Sequence, residues 1–183
     1  EKYVGEFKDG DYHGQGKSHF EDDGTIKFEG EWKYGDYYLG KKFDDEGNLE
    51  YEGEWKNGEF HGQGKKYDDE GNLEYEGEWK EGEKHGQSKL YIGGELWYEG
   101  QFKGGLFNGQ GKEYFKGELE YEGAFKQGEK NGQGKRYDKG KLLYEGKFKN
   151  SECHGKGKEF DKKTGNLVFE GQWKDGKKWN GTC

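Results

Sequence analysis

Apolar and polar residues alternate in short segments that recur along the whole chain. In YEGEWK, which begins at Tyr51, the aromatic residues Tyr51 and Trp55 alternate with the charged residues Glu52, Glu54 and Lys56. An alternation of period two is typical of a β-strand, because successive side chains point to opposite faces of a sheet. The segment therefore predicts a strand with one aromatic face and one charged face.

The residues that follow predict the second half of a β-hairpin. The segment NGEFHG contains Asn57-Gly58 and His61-Gly62, and glycine dipeptides of this kind favour tight turns. The next segment, QGKKY, ends at Tyr67 and predicts a returning strand, and DDEGNLE leads into the following copy. Each copy is therefore interpreted as a hairpin that is joined to its neighbours in a meander.

The pattern aromatic-x-Gly-x-aromatic-Lys divides the chain into eight repeats. A fixed period of about 23 residues indicates a repeat protein. Seven repeats are complete and the eighth is incomplete, so we predict a single array over residues 1–183. The repeats, numbered 1 to 8 below, start at Tyr3, Phe28, Tyr51, Tyr75, Tyr98, Tyr121, Tyr144 and Phe169.

This organisation predicts an all-β fold, namely an elongated single-layer antiparallel β-meander. About 15 strands at roughly 4.8 Å spacing would form a ribbon on the order of 70 Å long. A closed barrel and a stacked sandwich are the alternatives. Both would need more aliphatic residues than the 15 Ala, Val, Ile and Leu residues of the chain, whereas 32 aromatic residues are available to form a core.

The consensus Y-E-G-x-[WF]-K-x-G-x-x-[HN]-G-x-G resembles the MORN repeat (membrane occupation and recognition nexus). The resemblance covers essentially the whole chain, and it implies a docking or dimerising module. Repeat 2 lacks the His/Asn-Gly pair and is one residue short, so we expect an irregular turn there. Ser88 and Ser151 replace expected glycines in repeats 4 and 7, and repeat 8 is interpreted as having one residue inserted before Asn180-Gly181.

The charged residues of the repeat do not predict catalysis. Glutamate pairs such as Glu52 and Glu54 recur along an open face, which favours a solvated ladder of Glu and Lys over an acid–base pair. One repeat position is histidine in four repeats and asparagine in two others, which indicates a turn residue that tolerates positive φ. It holds His13, His61, His85, Asn108, Asn131 and His154.

Metal, phosphate and thiol chemistry are not predicted either. Histidines in neighbouring hairpins would lie roughly 10 Å apart, which is too far for a shared zinc ion. The segment GQGKS at residues 14–18 lacks the first glycine of a phosphate-binding loop, because Asp11 occupies that position. Cys153 and Cys183 are interpreted as free thiols in a reducing, cytoplasmic setting. We therefore predict a protein that is not an enzyme and needs no cofactor or metal.

The formal net charge of −8 disfavours nucleic acid and anionic membranes as partners. The most functional-looking feature is the aromatic row, which forms either the core or an incompletely covered strip that binds a partner. We predict a scaffold that docks a basic or amphipathic peptide or helix, or a second copy of the chain, on this row. The predicted partner-binding residues are Tyr51, Trp55, Tyr75, Trp79, Tyr98, Phe102, Tyr121, Phe125, Tyr144 and Phe148.

Two alternatives remain open from the sequence. One is a membrane or phospholipid tether, which would need a basic patch formed by residues such as Lys65, Lys66, Lys112 and Lys135. The other is the regulatory or docking arm of an enzyme whose catalytic domain lies outside this chain, as the resemblance implies.

Overall fold

The computed structural model describes residues 2–182 and contains sixteen β-strands and no helix within that range. The chain separates into two compact units, Glu1–Gly94 (unit 1) and Glu95–Cys183 (unit 2), each with eight strands and four repeats. Within each unit every strand pairs antiparallel with the next strand along the chain. The predicted all-β class and hairpin meander are confirmed, with one strand more than the sequence predicted.

Unit 1 contains repeats 1 to 4. Its strands are β1 (Lys2–Lys8), β2 (Asp11–His19), β3 (Ile26–Lys33), β4 (Asp36–Phe43), β5 (Leu49–Lys56), β6 (Glu59–Tyr67), β7 (Leu73–Lys80) and β8 (Glu83–Ile92).

Unit 2 contains repeats 5 to 8. Its strands are β9 (Glu95–Lys103), β10 (Leu106–Phe115), β11 (Glu118–Lys126), β12 (Glu129–Asp138), β13 (Lys141–Lys149), β14 (Glu152–Phe160), β15 (Leu167–Lys174) and β16 (Lys177–Thr182).

A two-residue turn closes the hairpin of each repeat. In repeat 3, Asn57 and Gly58 have φ values of 53° and 76°. Positive φ at both central residues matches the right-handed twist of the flanking strands, and it explains why the second residue is nearly always glycine. Ser151 takes the same conformation in repeat 7, with a φ of 64°, so the backbone there is the same without the glycine.

The second strand of most repeats contains a β-bulge of two residues. In repeat 3, Gly53 pairs with Gly64 and Glu54 pairs with His61, so Gly62 and Gln63 are extra residues in β6. The positive φ of the bulge lies at Gly62, at 56°, and not at His61. The prediction that the His/Asn position provides the positive φ is therefore wrong, because the glycine after it takes that conformation.

Repeats 2 and 8 have a shorter bulge. In repeat 2 the turn at Tyr34-Gly35 is regular, but only Tyr38 is inserted between paired residues. In repeat 8 only Trp179 is inserted, and Gly181 pairs with Gly171. The expected irregular turn in repeat 2 and the expected insertion in repeat 8 are both wrong, because each repeat has lost one bulge residue.

The length of the bulge correlates with the identity of the first aromatic residue of the repeat, tyrosine or phenylalanine. In each repeat that begins with tyrosine, the hydroxyl donates a hydrogen bond of 2.7–3.2 Å to the carbonyl three residues later, beside the bulge. The two repeats with the shorter bulge begin with phenylalanine, at Phe28 and Phe169, which has no hydroxyl to donate. A tyrosine hydroxyl thus satisfies a carbonyl that the longer bulge turns away from the ladder.

Candidate functional site

All ten aromatic residues that the sequence predicts as a partner-binding row are buried. Their relative exposures range from 0% to 5%, with Tyr51 at 0% and Trp79 at 5%. The expectation of an incompletely covered strip is therefore wrong, since a partner could reach these rings only by displacing the side chains above them. Their direct role in partner binding stays a prediction.

The rings cover one another in a regular edge-to-face arrangement. The Tyr51 and Trp55 centroids are 5.0 Å apart, and Tyr51 also meets Trp79 of the next repeat at 5.8 Å. In unit 2, Tyr121 meets Phe125 and Phe148 in the same way, at 5.1 Å each. Edge-to-face pairs at these separations stabilise beyond their buried area, so each repeat depends on the ring of its neighbour.

A third aromatic position, which covers the core rings and is itself half-buried, was missed by the sequence analysis. Phe60, the second residue after the turn glycine, stacks face to face on Tyr51 with centroids 3.9 Å apart. The equivalent residues in repeats 1, 2 and 5 stack at 3.9–4.0 Å; they are Tyr12, Tyr37 and Phe107. The signal was present in the sequence, because a residue at this position of the returning strand lies opposite the second aromatic of the repeat.

Lysine or cysteine occupies this covering position in the other repeats. Lys84 lies 5.2 Å from the Tyr75 ring centroid, and Lys130 lies 4.9 Å from that of Tyr121. In repeat 7 the position holds Cys153, a free and buried thiol whose pKa is raised by burial. Cys183, the other predicted free thiol, lies outside the described residues.

The buried tyrosines make the fold sensitive to alkaline pH. Burial raises the pKa of Tyr75 to about 12, and it raises the pKa of Tyr51, Tyr98, Tyr121 and Tyr144 above the ordinary value of 10.0. Above pH 10 the unfolded chain loses these protons and the folded chain keeps them. The contribution of the protonated tyrosines to the free energy of unfolding is therefore fully present below pH 10. It is lost as the pH rises towards the pKa values of the folded state.

We expect the free energy of unfolding to fall above pH 10 by up to about 1.4 kcal/mol per pH unit for each buried tyrosine. Urea unfolding at pH 9, 10 and 11, followed by circular dichroism, measures this slope. Tyr51→Phe should make the fall in the free energy of unfolding per pH unit smaller by the contribution of one tyrosine. The variant also loses the hydrogen bond to the Glu54 carbonyl, which lowers its stability at every pH. An unchanged slope in this variant would contradict the assignment.

Alternate glutamates of the repeat have different roles. The Glu54 carboxylate accepts a hydrogen bond from the backbone N–H of Gln63 at 2.9 Å, and it occupies the space that a Cβ at Gly62 would need. Glu6 and Glu78 accept the same bond from Gln15 and Gln87. The predicted solvated ladder is therefore limited to the other glutamates, such as Glu52, which is 3.7 Å from Lys41.

Replacing Glu54 with alanine should lower the free energy of unfolding by about 1 kcal/mol, because the Gln63 N–H of the bulge loses its acceptor. Glu54→Gln keeps an acceptor oxygen, and repeat 5 already has Gln101 at this position. It should therefore remain close to the wild type in urea unfolding. Equal stability of the alanine variant and the wild type would show that the bond contributes nothing.

A groove floored by glycine backbone lies on the face opposite the rings in unit 1. Gly40, Gly53, Gly64 and Gly77 are paired across successive strands. A Cβ at Gly64 would come closer than 3.0 Å to the Tyr51 ring, so these residues point towards the core and leave bare backbone on the other face. The groove has a volume of about 460 Å³.

Charged side chains form the walls of this groove. Strand alternation places the residues on both sides of each glycine on the open face. One wall alternates lysine and glutamate through Lys41, Glu52, Lys65 and Glu76, and the other includes Leu39 and Gln63. The groove-facing side chains are therefore mostly charged or polar and are exposed or half-buried, whereas the predicted aromatic site lies beneath the floor.

Unit 2 has an equivalent groove of about 450 Å³. Its floor contains Gly146, Gly157 and Gly171, and its walls include Glu145, Lys158 and Gln133. Outside the residues that line this groove, Tyr114 and Tyr137 donate hydrogen bonds to Glu99 and Glu122 at 2.7 and 2.6 Å. Each unit thus presents the same type of surface.

The two units differ in charge. Unit 1 has 13 Lys and Arg residues against 25 Asp and Glu, which gives a formal charge of −12. Unit 2 has 18 against 14, which gives +4. The net charge of −8 is therefore carried entirely by unit 1, and arguments based on the whole chain do not apply to unit 2.

The described residues hold no feature of a metal site or a membrane helix. Among residues 2–182, no three His, Cys, Asp or Glu side chains come together as a metal-binding group. Within the same range there is also no helix of the length and apolar character needed to cross a membrane.

Repeated hairpins that share an aromatic core within each unit and present an open, mostly polar face define a β-hairpin repeat protein. The family model of the MORN repeat matches seven segments that cover more than half of the chain, so the chain belongs to the MORN repeat family. MORN repeats are generally linked to protein or membrane binding and are not catalytic modules. The matched segments are residues 3–25, 51–72, 75–89, 98–117, 121–141, 144–163 and 169–179.

The matched segments leave out residues 26–50, which contain the whole of repeat 2. This repeat has the one-residue bulge and begins with Phe28. No curated protein matches the chain.

Proposed function

We propose that the chain is a non-enzymatic scaffold that docks a partner polypeptide in its glycine-floored grooves. The observation that carries this proposal is that both units present such a groove, with volumes of about 460 and 450 Å³. The ten buried aromatic residues support it indirectly, because they fix the groove floor from below. Docking of a peptide segment or of a second copy of the chain are both consistent with this surface.

The groove offers two kinds of interaction to a polypeptide. Its floor is bare backbone between two rows of side chains, because the residues of the floor direct their Cβ positions towards the core. Its walls provide charged groups that fix orientation, such as Lys65 and Glu76 in unit 1. A ligand held in this way would be recognised by its charge pattern and by its narrow cross-section.

Site-specific photo-crosslinking tests the proposal. A photoreactive amino acid is placed at Gln63 in the groove of unit 1 (groove 1) or at Gln133 in the groove of unit 2 (groove 2). The chain is then irradiated in an extract of its source cells. The control places the same group at Glu46, an exposed loop residue away from both grooves. We expect a discrete protein adduct from the groove positions alone. Adducts from Glu46 only, or none, would reject groove docking.

The charge of unit 2 favours a second candidate function, namely attachment to anionic membranes. Its formal charge of +4 removes the objection raised by the whole-chain charge of −8, although the required basic patch is not established, since Lys112 and Lys135 pair with glutamates. Co-sedimentation with phosphatidylserine vesicles at low and moderate salt tests it. Binding that is lost at moderate salt would support attachment, and absence of binding at low salt would reject it.

The setting of the scaffold is also part of the proposal. We place it in the cytoplasm because Cys153 is a buried free thiol, which suits a reducing compartment. The sequence also allows a longer protein in which this array is the docking arm of a catalytic domain. The full-length reading frame tests that alternative.

A further inference from the structure

One position of the repeat changes its charge between the two units. It is the residue after the glycine of the first strand, and we call it the rim position. In unit 1 it is glutamate in every repeat, at Glu6, Glu31, Glu54 and Glu78. In unit 2 it is never acidic, and the residues are Gln101, Ala124, Lys147 and Gln172. The rim position lies beside the groove, on the face opposite the rings.

The rim glutamates of unit 1 are mostly uncompensated. Among the described residues, no lysine, arginine or histidine side chain lies within 4.0 Å of Glu6, Glu54 or Glu78, and Glu31 has only Lys33 at 3.5 Å. The opposite wall differs, because Lys17 pairs with Glu29 at 2.9 Å and Lys41 pairs with Glu52 at 3.7 Å. Groove 1 therefore has one neutralised wall and one row of free negative charge.

The bulge hydrogen bond of Glu54 uses only one of its two carboxylate oxygens. Glu54 uses Oε1 to accept the Gln63 N–H, and the residue is exposed. Leu39 lies between Glu31 and Glu54 across the strands and is 47% exposed. The groove edge thus alternates carboxylate, apolar contact and carboxylate, which suits the aliphatic stem and charged end of a basic side chain.

Repeat geometry limits the shape of the ligand. Equivalent rim residues are two strands apart, which is about 9.6 Å at the usual strand spacing. The two walls flank a single glycine, so their Cα atoms are only about 6.8 Å apart, whereas an α-helix is about 10–12 Å wide with its side chains. A polyproline II segment is narrower, and its every third residue returns to the same side after about 9.3 Å.

From this match, and resting on the proposed function of groove docking, we infer that groove 1 binds an extended polypeptide segment with Lys or Arg at every third residue. Each basic side chain meets one rim glutamate of unit 1. Groove 2 has glutamine, alanine and lysine at the equivalent positions and does not select this segment.

Fluorescence anisotropy with labelled synthetic peptides tests this inference. The probe has five Pro-Pro-Lys triplets, and two matched peptides replace each lysine with glutamine or glutamate. A helical peptide with lysine at every seventh residue tests the alternative shape. The full chain is compared with three variants, and the mass of each in solution is measured by light scattering.

The first variant is Glu6→Gln with Glu54→Gln and Glu78→Gln, which keeps an acceptor for each bulge. The charge-matched control is Asp45→Asn with Glu46→Gln and Glu70→Gln, in exposed loops. The third variant, Gln63→Trp, blocks the groove without changing its charge. At low salt we expect the lysine peptide to bind at least tenfold more tightly than the glutamine peptide.

The rim variant should lose about tenfold in affinity for the lysine peptide, and the loop control less than threefold. Equal loss in both would overturn selection by the rim. If Gln63→Trp weakens binding and the rim variant does not, the groove docks the peptide but the rim charges do not select it. If neither Gln63→Trp nor the rim variant weakens binding, both groove docking and selection by charge are rejected. Preference for the helical peptide, or a dimer that the rim variant converts to a monomer, would overturn the extended segment as the occupant.

Discussion

Trp79→Ala should lower the free energy of unfolding of unit 1 by about 3–5 kcal/mol, which is the usual cost of truncating a buried tryptophan. Trp79 is 5% exposed and packs edge to face on Tyr75 at 4.7 Å and on Tyr51 of the preceding repeat at 5.8 Å. The substitution removes a ring that two repeats share. The effect should therefore extend beyond repeat 4.

Urea unfolding followed by circular dichroism gives the magnitude, and amide hydrogen exchange shows which strands lose protection. Trp179→Ala is the matched control, because Trp179 is 70% exposed and the change should stay within about 0.5 kcal/mol. Equal effects at the two positions would contradict the burial of Trp79. If the Trp79→Ala variant is stable but no longer binds its partner, Trp79 contacts the partner directly, as the sequence analysis predicts.

Gly64→Val should destabilise unit 1 by about 3–5 kcal/mol, as overpacking and a lost hydrogen bond combine. A side chain at Gly64 points at the Tyr51 ring, and a Cβ there would come closer than 3.0 Å to the Tyr51 hydroxyl oxygen. The ring would have to leave its stack with Phe60, and its hydroxyl would lose the Glu54 carbonyl. Thermal or urea unfolding measures the loss.

Gly64→Ser provides a control that the chain itself supplies. Repeat 4 has Ser88 at this position, where its hydroxyl oxygen lies 2.5 Å from the Tyr75 hydroxyl and 2.9 Å from the His85 carbonyl oxygen. Beside this serine, Tyr75 keeps its hydrogen bond to the Glu78 carbonyl at 2.7 Å, so we expect Gly64→Ser to cost only about 1 kcal/mol. A serine variant as unstable as the valine variant would show that steric exclusion alone decides this position.

The sequence predicted the hairpins well because their causes are local. Alternation in YEGEWK, the Asn57-Gly58 turn and the fixed period each depend on neighbouring residues. The same reasoning fails at His61, where the asparagine found at this position in other repeats predicts positive φ. The bulge gives that conformation to Gly62, and bulge geometry depends on the register of two strands.

The candidate site was less predictable. The ten aromatic residues were identified as one row, but their burial depends on what lies above them. Phe60 and Lys84 cover Tyr51 and Tyr75 from the returning strand, and neither was identified from the sequence. The groove was also missed, because it consists of glycine backbone and becomes a surface only when Gly53, Gly64 and Gly77 are placed side by side.

The sequence by itself determined the strand and turn order, the repeat period and the set of aromatic residues that form the core, since these follow from backbone preferences and side-chain alternation. It also holds the rim charges of both units. Only the tertiary structure decided that the rings are closed off and that the opposite face is the accessible one. The physical reason is that exposure is set by neighbours across strands, and pairing places Gly64 beside Gly53 and Gly77, which the sequence keeps apart.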